Sequence, residues 1–170
     1  LTIGIESFSN PVRDHMKKKF SDKDIEYHLE QCKYWSIPNT FLMITGYPTE
    51  TIDDHNKNLS DLEKYKDYAK LGIIEMIRWG TTMHLIPDTP ITNEQNIKNL
   101  GLKGRNNKTM GLEPESQYDW TSEANPELTL RERVRRRIEL HEKSVACGYP
   151  QPRVRYELAS IYELAKLIKK

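Results

Sequence analysis

The chain is short of cysteine, of net charge and of long apolar runs. Its 170 residues contain only Cys32 and Cys147, far apart in sequence. That excludes a disulfide framework and predicts a reducing, cytoplasmic setting. Formal net charge is +1, so no global field draws the chain to nucleic acid or to an anionic membrane. No apolar run approaches the roughly 20 residues that cross a bilayer, and no signal-peptide pattern is present. Also missing are a His-x-x-x-His pair, a Cys-x-x-Cys, a Gly-x-x-x-x-Gly-Lys loop and a Gly-x-Ser-x-Gly elbow. Zinc-site, phosphate-loop and serine-hydrolase chemistry therefore lack their residues. His15, His28, His84 and His141 are scattered. The first residue is Leu1, already inside an apolar run, and the expectation is a fragment of something longer.

What is present is a rhythm. Leu1 to Ile5, Thr40 to Thr45 and Ile73 to Trp79 are short apolar runs without clean alternation. That suits strands covered on both faces of a parallel sheet. Helix signals fill the gaps. Asn10-Pro11 opens a short helix through Val12 to Met16, with Pro at its first turn. Ser21 and Asp24 form a capping-box pattern before Ile25, Leu29, Cys32 and Trp35, the inner stripe of a second helix. Thr51 caps a long helix with Asp53 and Asp54 in its first turn. Ile52, His55, Leu59, Leu62 and Lys66 mark one face of it, His55 reads as a packing residue, and Leu71-Gly72 ends it. Strands alternating with helices predict a parallel sheet with right-handed crossovers.

After Thr81 the texture changes. Residues 93–100 read as a short helix and Gly101 to Pro126 as a long irregular excursion, pinned by Tyr118 and Trp120. Thr129 caps a helix from Leu130 to Cys147, with Val134, Ile138, His141 and Val145 inward. Arg131, Arg133, Arg135, Arg136 and Arg137 lie among glutamates, so they read as a solvated or ion-paired face. Lys17 to Lys19 read the same way. A final helix is expected over Arg153 to Lys169.

Candidate chemistry collects at the strand ends. Glu6 and Ser7 follow strand one; Thr45, Gly46 and Tyr47 follow strand two; Arg78, Trp79 and Thr81 follow strand three. Parallel packing puts such ends side by side, about 4.8 Å apart, where α/β proteins bind ligands. The Glu6 carboxylate can accept two ribose hydroxyls. Gly46, without a Cβ, lets a flat ring approach. Together these suit a nucleoside. A second reading of Glu6 stands beside this one: it caps the helix that starts near Asn10.

Gly4-Ile5-Glu6-Ser7, then Val12-Arg13-Asp14-His15-Met16-Lys17-Lys18 and Phe20-Ser21, resembles the fourth-strand region of radical S-adenosylmethionine enzymes. Gly46-Tyr47-Pro48-Thr49-Glu50-Thr51 resembles that family's Gly-Phe-Pro-Gly-Glu-Thr turn. Leu85 to Ile91 resembles its Pro-Tyr-Pro-Gly-Thr-Pro-Leu segment. Thr49, Leu85 and Asp88 depart from the pattern. The likeness covers residues 1–91 and implies an α/β fold, strands four to six of a partial (β/α)6 TIM-like barrel. Residues 92–128 are then an irregular excursion and 129–170 a helical C-terminal extension. The resemblance implies that Glu6 and Ser7 meet the ribose and methionine of S-adenosylmethionine. It places Ile44, Gly46 and Trp79 to Thr81 beside the adenine. It also implies a [4Fe-4S] cluster and, in the branch resembled, a cobalamin. The family's Cys-x-x-x-Cys-x-x-Cys is absent here, and thiolates are the usual cluster ligands. The expected partner is the missing N-terminal half of the same protein, with self-association through the exposed edge of strand one. The alternative is a stand-alone, non-catalytic binding or assembly module derived from the same half-barrel.

Overall fold

The computed structural model describes residues 1–80, 82–104 and 117–151. Thr81, much of the excursion and the expected helix over Arg153 to Lys169 lie outside the described residues. Three parallel strands, β1 (Thr2–Glu6), β2 (Asn39–Met43) and β3 (Ile74–Arg78), form a sheet in the order β1-β2-β3. The chain is thus α/β, and no barrel closes among the described residues.

The helix starts follow their caps. α1 (Asn10–His15) carries Pro in its first turn. α2 (Asp22–Tyr34) and α3 (Ile52–Lys64) each open on a complete capping box, Ser21 with Asp24 and Thr51 with Asp54. The helix expected to run from Thr51 to Leu71 is instead two. α3 ends at Tyr65, whose φ is −96° and ψ 5°, and α4 (Lys66–Lys70) follows. Inside the excursion, α5 (Glu94–Leu100) leads into a short antiparallel pair, β4 (Leu102–Lys103) with β5 (Thr121–Ser122). A two-residue pair has too little periodicity to show in sequence. α6 (Leu130–Ala146) starts at Thr129, whose hydroxyl accepts from Glu132 N–H.

Two apolar clusters hold these elements. In the first, Ile25, Leu29 and Cys32 of α2, Leu62 of α3 and Leu140 of α6 pack with Ile5, Phe41, Met43, Ile74, Ile77 and Trp79. α6 therefore belongs to the layer that covers the sheet. Each fully buried side chain of this kind contributes about 2 kcal/mol. The second cluster sits beyond the strand ends, where Tyr47, Leu85, Ile91, Leu100, Trp120 and Leu128 pack with Val12. Trp120 pins the excursion as expected, buried completely and donating Nε1–H to the Met83 carbonyl at 2.9 Å.

Three expected inner-stripe residues lie outside. Trp35, Ile52 and Val145 are 65%, 44% and 51% exposed. Trp35 is the C-cap of α2 and stacks edge-on against Tyr34 instead. The inner face of α3 is largely polar, with Asp54, His55, Asn58, Asp61 and Leu62 buried. His55 is a packing residue as expected, its Nε2 2.8 Å from a Glu139 carboxylate oxygen.

The other face of the sheet is less covered. Gly4, Leu42 and Arg78 form one row across it and Thr2, Thr40 and Met76 another, and all are half-buried or exposed.

Candidate functional site

The three strand ends converge as a parallel sheet requires. The pairing of β1 with β2 ends where Ile44 N–H donates to the Glu6 carbonyl at 2.8 Å. Beyond β2 and β3, Thr45 and Thr82 form a further parallel bridge, and Met83 N–H donates to the Thr45 carbonyl at 2.8 Å.

Glu6 is the outlier of this row. Its φ is 68°, a left-handed conformation that costs a non-glycine residue about 1–2 kcal/mol. The register slips there, between Gly4 and Glu6. The twist lays the Glu6 side chain back over Gly4, where an added Cβ would run into Glu6 Oε1. Glycine leaves that space open without moving the Glu6 side chain. Lys18 Nζ bonds Glu6 Oε1 at 3.1 Å and the Gly4 carbonyl at 3.2 Å. Lys18, expected on a solvated face, instead joins the accessible face of β1. Glu6 makes no cap on α1, whose N-cap residue is Ser9.

Ser7 parts company with Glu6. It is completely buried, and its hydroxyl donates to Asn58 Oδ1 at 3.2 Å. Phe8 N–H donates to the same oxygen at 2.7 Å, and Ser9 Oγ–H to Asp54. α3 thereby fixes the connection after β1. Arg13, also buried, donates to the Ser7 carbonyl at 2.8 Å.

The ends of β2 and β3 are sealed from the helix side. Gly46 has φ 77°, and a Cβ there would meet Arg133 Cδ at 2.5 Å. On that side the bare backbone of Gly46 receives an arginine stem. Thr45 is completely buried, and its hydroxyl has no hydrogen-bond partner among the described residues. Tyr47 is buried and its hydroxyl lies 2.9 Å from His15 Nδ1. Burial holds the Tyr47 phenol above its ordinary range. Trp79 turns away from the accessible face and donates Nε1–H to Ser144 Oγ at 3.0 Å. Of the nine candidates, Glu6 and Ile44 are half-buried and Arg78 is exposed. Ser7, Thr45, Gly46, Tyr47 and Trp79 are enclosed by the chain itself, and Thr81 lies outside the described residues.

The arginines of α6 do the sealing. Arg133 is buried completely, stacks on Trp120 at 3.8 Å, and donates to the carbonyls of Trp120, Leu128 and Tyr118 at 3.0, 2.7 and 2.6 Å. Burial without a carboxylate bond pulls its pKa down to about 9. Arg136 donates to Glu50 and to the Thr51 carbonyl. Arg137 donates to the Gly80 carbonyl at 2.9 Å. The expected solvated or ion-paired face holds for part of the cluster: Arg131 and Arg135 face water and Arg135 and Arg136 are ion-paired, whereas Arg133 and Arg137 are buried against backbone carbonyls. Guanidinium suits the place because it offers five donors in a fixed fork to several carbonyls at once.

No family model and no curated protein matches this chain. Its functional reading therefore rests on residues and geometry.

The cysteines do not make a metal or thiol site. Cys32 Sγ lies 3.4 and 4.0 Å from the two ring nitrogens of His28. A sulfur at comparable distance from both sits over the ring face, out of line for proton transfer. Asn39 Oδ1 meets His28 Nε2 at 2.9 Å, so the three residues form a packed contact and not a relay. Cys147 bonds Glu63 at 3.3 Å. Among the described residues no group of three His, Cys, Asp or Glu side chains could hold a metal ion. The thiolates that a [4Fe-4S] cluster needs are not supplied by this pair. Among the described residues, no helix is long and apolar enough to cross a membrane.

Proposed function

We propose that the chain contributes part of the S-adenosylmethionine site of a radical S-adenosylmethionine enzyme, as strands four to six of a partial (β/α)6 barrel. The observation that carries this reading is Glu6. A strained backbone places its carboxylate on the accessible face of β1, beside the Ile44 end of β2. Strain of this kind clusters at functional sites. Glu6 is the acceptor for ribose hydroxyls, and Leu42 and Ile44 offer apolar surface to the base. Arg78 lies two strands away in the row of Gly4 and Leu42, and its guanidinium suits a methionine carboxylate. Ser7 and Trp79 serve as supports held by Asn58 and Ser144. When bound, S-adenosylmethionine supplies radical chemistry if it is reduced at a cluster that this chain does not hold.

The partner in this reading is a further strand beside β1. β1 is an edge of the sheet, and such edges recruit strands unless blunted. A cavity of about 180 Å³ beside it is lined by Ile3, Ile5, Phe20, Asp24, Ile25 and His28. Tyr27, Tyr34 and Trp35 of neighbouring α2 are exposed. The rest of a barrel, or a second copy, would cover them. Light scattering at rising concentration tests self-association, and a strict monomer counts against the second copy.

Binding is tested by following chain amides during titration with S-adenosylmethionine. Weak binding is expected, with shifts at Glu6, Leu42 and Ile44. Glu6→Ala should weaken it about tenfold, the equivalent of about 1.4 kcal/mol. No shift at these residues at millimolar ligand would overturn the reading and favour the non-catalytic module.

A further inference from the structure

The turn after β2 is held from within by one acid. Glu50 is completely buried. Its Oε2 accepts the Gly46 N–H at 3.1 Å, and its Oε1 accepts from Arg136 Nη1 at 3.2 Å. The same Arg136 nitrogen donates to the carbonyls of Glu50 and Thr51, at 2.9 and 3.0 Å. Asn125 Nδ2 donates to the Glu50 carbonyl at 2.9 Å. Thr51 is in turn the N-cap of α3. Glu50 and Arg136 together therefore tie the Gly46 turn and the start of α3 to the arginine face of α6.

The charges around it come from two helices. From α6, Arg136 faces Glu50 and is itself paired with Glu132 at 2.8 Å, while Arg133 lies across Gly46. From α3, Asp54 adds a like charge. Burial pushes the Glu50 carboxyl up to about 7, against the pull of Arg136 and the Gly46 N–H.

We propose that Glu50 is a proton-operated coupling between α6 and the Gly46 turn, and that ligand affinity at the strand ends follows its protonation state. The ligand clause rests on the nucleoside reading above; the coupling does not. Enclosed from water, the Glu50 carboxyl is held more readily neutral than charged, because the Gly46 N–H and Arg136 do not fully offset the hydration it gives up. A neutral Glu50 leaves the turn packed under α6. An ionised Glu50 draws water to the site, so the turn loosens from α6 and the backbone beside Ile44 is held less firmly. Affinity for a nucleoside should be lower at pH 8 than at pH 6, by roughly five- to tenfold, at the low end of common coupling factors.

The test uses the whole chain. Hydrogen exchange of the 46–51 backbone is compared between the unmodified chain and Glu50→Gln at pH 6 and pH 8, after correction for intrinsic rates. Gln keeps the size and cannot ionise. The unmodified chain should be less protected than the variant at pH 8 and equal to it at pH 6. Equal protection at both pH values would overturn the coupling. If Glu50→Gln does not fold, the unmodified chain decides alone. The Gly46 amide shift should titrate in step with the Glu50 side-chain carbon, and a Gly46 amide that stays still overturns the proposal. Exchange that follows pH while S-adenosylmethionine fails to bind would keep the coupling and discard the nucleoside reading.

Discussion

The two ends of the strand-end row are built differently. At β2 and β3, apart from exposed Arg78, polar groups face inward under α6, and three buried arginines spend their donors on backbone carbonyls and on Glu50. At β1, the carboxylate of Glu6 is turned outward by a strained backbone and, among the described residues, meets a lysine that is 33% exposed. Both regions carry charged residues next to strand ends. One uses them as fasteners, the other keeps one within reach. A polar residue at the end of a parallel strand is therefore a weak sign of ligand contact until its partners are known.

This contrast can be broken at the fastener. Arg133→Ala strands two buried carbonyls and a part-buried one and removes the Trp120 stack. It should cost about 3–5 kcal/mol in all, since a buried acceptor left without its partner costs about 1–3 kcal/mol, as read from the shift in urea midpoint. A loss below about 1 kcal/mol, the scale of a surface ion pair, would mean that α6 is not what seals this end.

Glu50 sets the pH dependence of the same region. Its folded pKa of about 7 lies above its ordinary 4.5. The folded chain thus binds the proton more tightly than the unfolded chain. Glu50's stabilising contribution is complete below pH 4.5 and is lost as pH rises through about 7. The loss is on the order of 3 kcal/mol at about 1.36 kcal/mol per unit. Glu132 works with the opposite sign: its arginine partners hold it near 2, so its smaller, solvent-screened contribution fades only in acid. Urea unfolding at intervals from about pH 4.5 to 8 should show the decline, and Glu50→Gln should flatten it.

Gly46→Ala probes the packing directly. The new methyl would run into the Arg133 stem at a positive φ. The expected cost is about 1–3 kcal/mol, measured as a lower unfolding midpoint, because the stem can shift slightly. The smallest effect belongs to Arg135. It is 45% exposed and, among the described residues, bonds Glu132 and Glu139 on its own helix. Arg135→Ala should change stability by less than about 1 kcal/mol. A larger loss would erase the distinction between the two kinds of arginine on α6.

That distinction is partly legible in the residue spacing. Arg135 has Glu132 and Glu139 at helical spacing, so it can pair on the surface. Arg133 and Arg137 have no acid three or four residues away on either side. Long cations without local partners need another place to go, and the spacing carries that signal. Lys18 offers no such clue, since three consecutive lysines look alike. The break at Tyr65 is also silent, because the helical residues on both sides continue the pattern.

The sequence by itself determined where elements begin and how they alternate. Ser21, Thr51 and Thr129 start helices because each hydroxyl meets a backbone N–H three residues on, a contact between near neighbours. The apolar runs became parallel strands because each is too short and too apolar to settle elsewhere. Only the tertiary structure decided which charges are buried. Arg136 and Glu50 are 86 residues apart, as a pair they have no periodicity, and each alone reads as a surface residue. Their burial depends on a helix that returns to the sheet after the long excursion. The side to which Glu6 turns was equally out of reach, since it depends on one backbone angle and on the missing Cβ of Gly4.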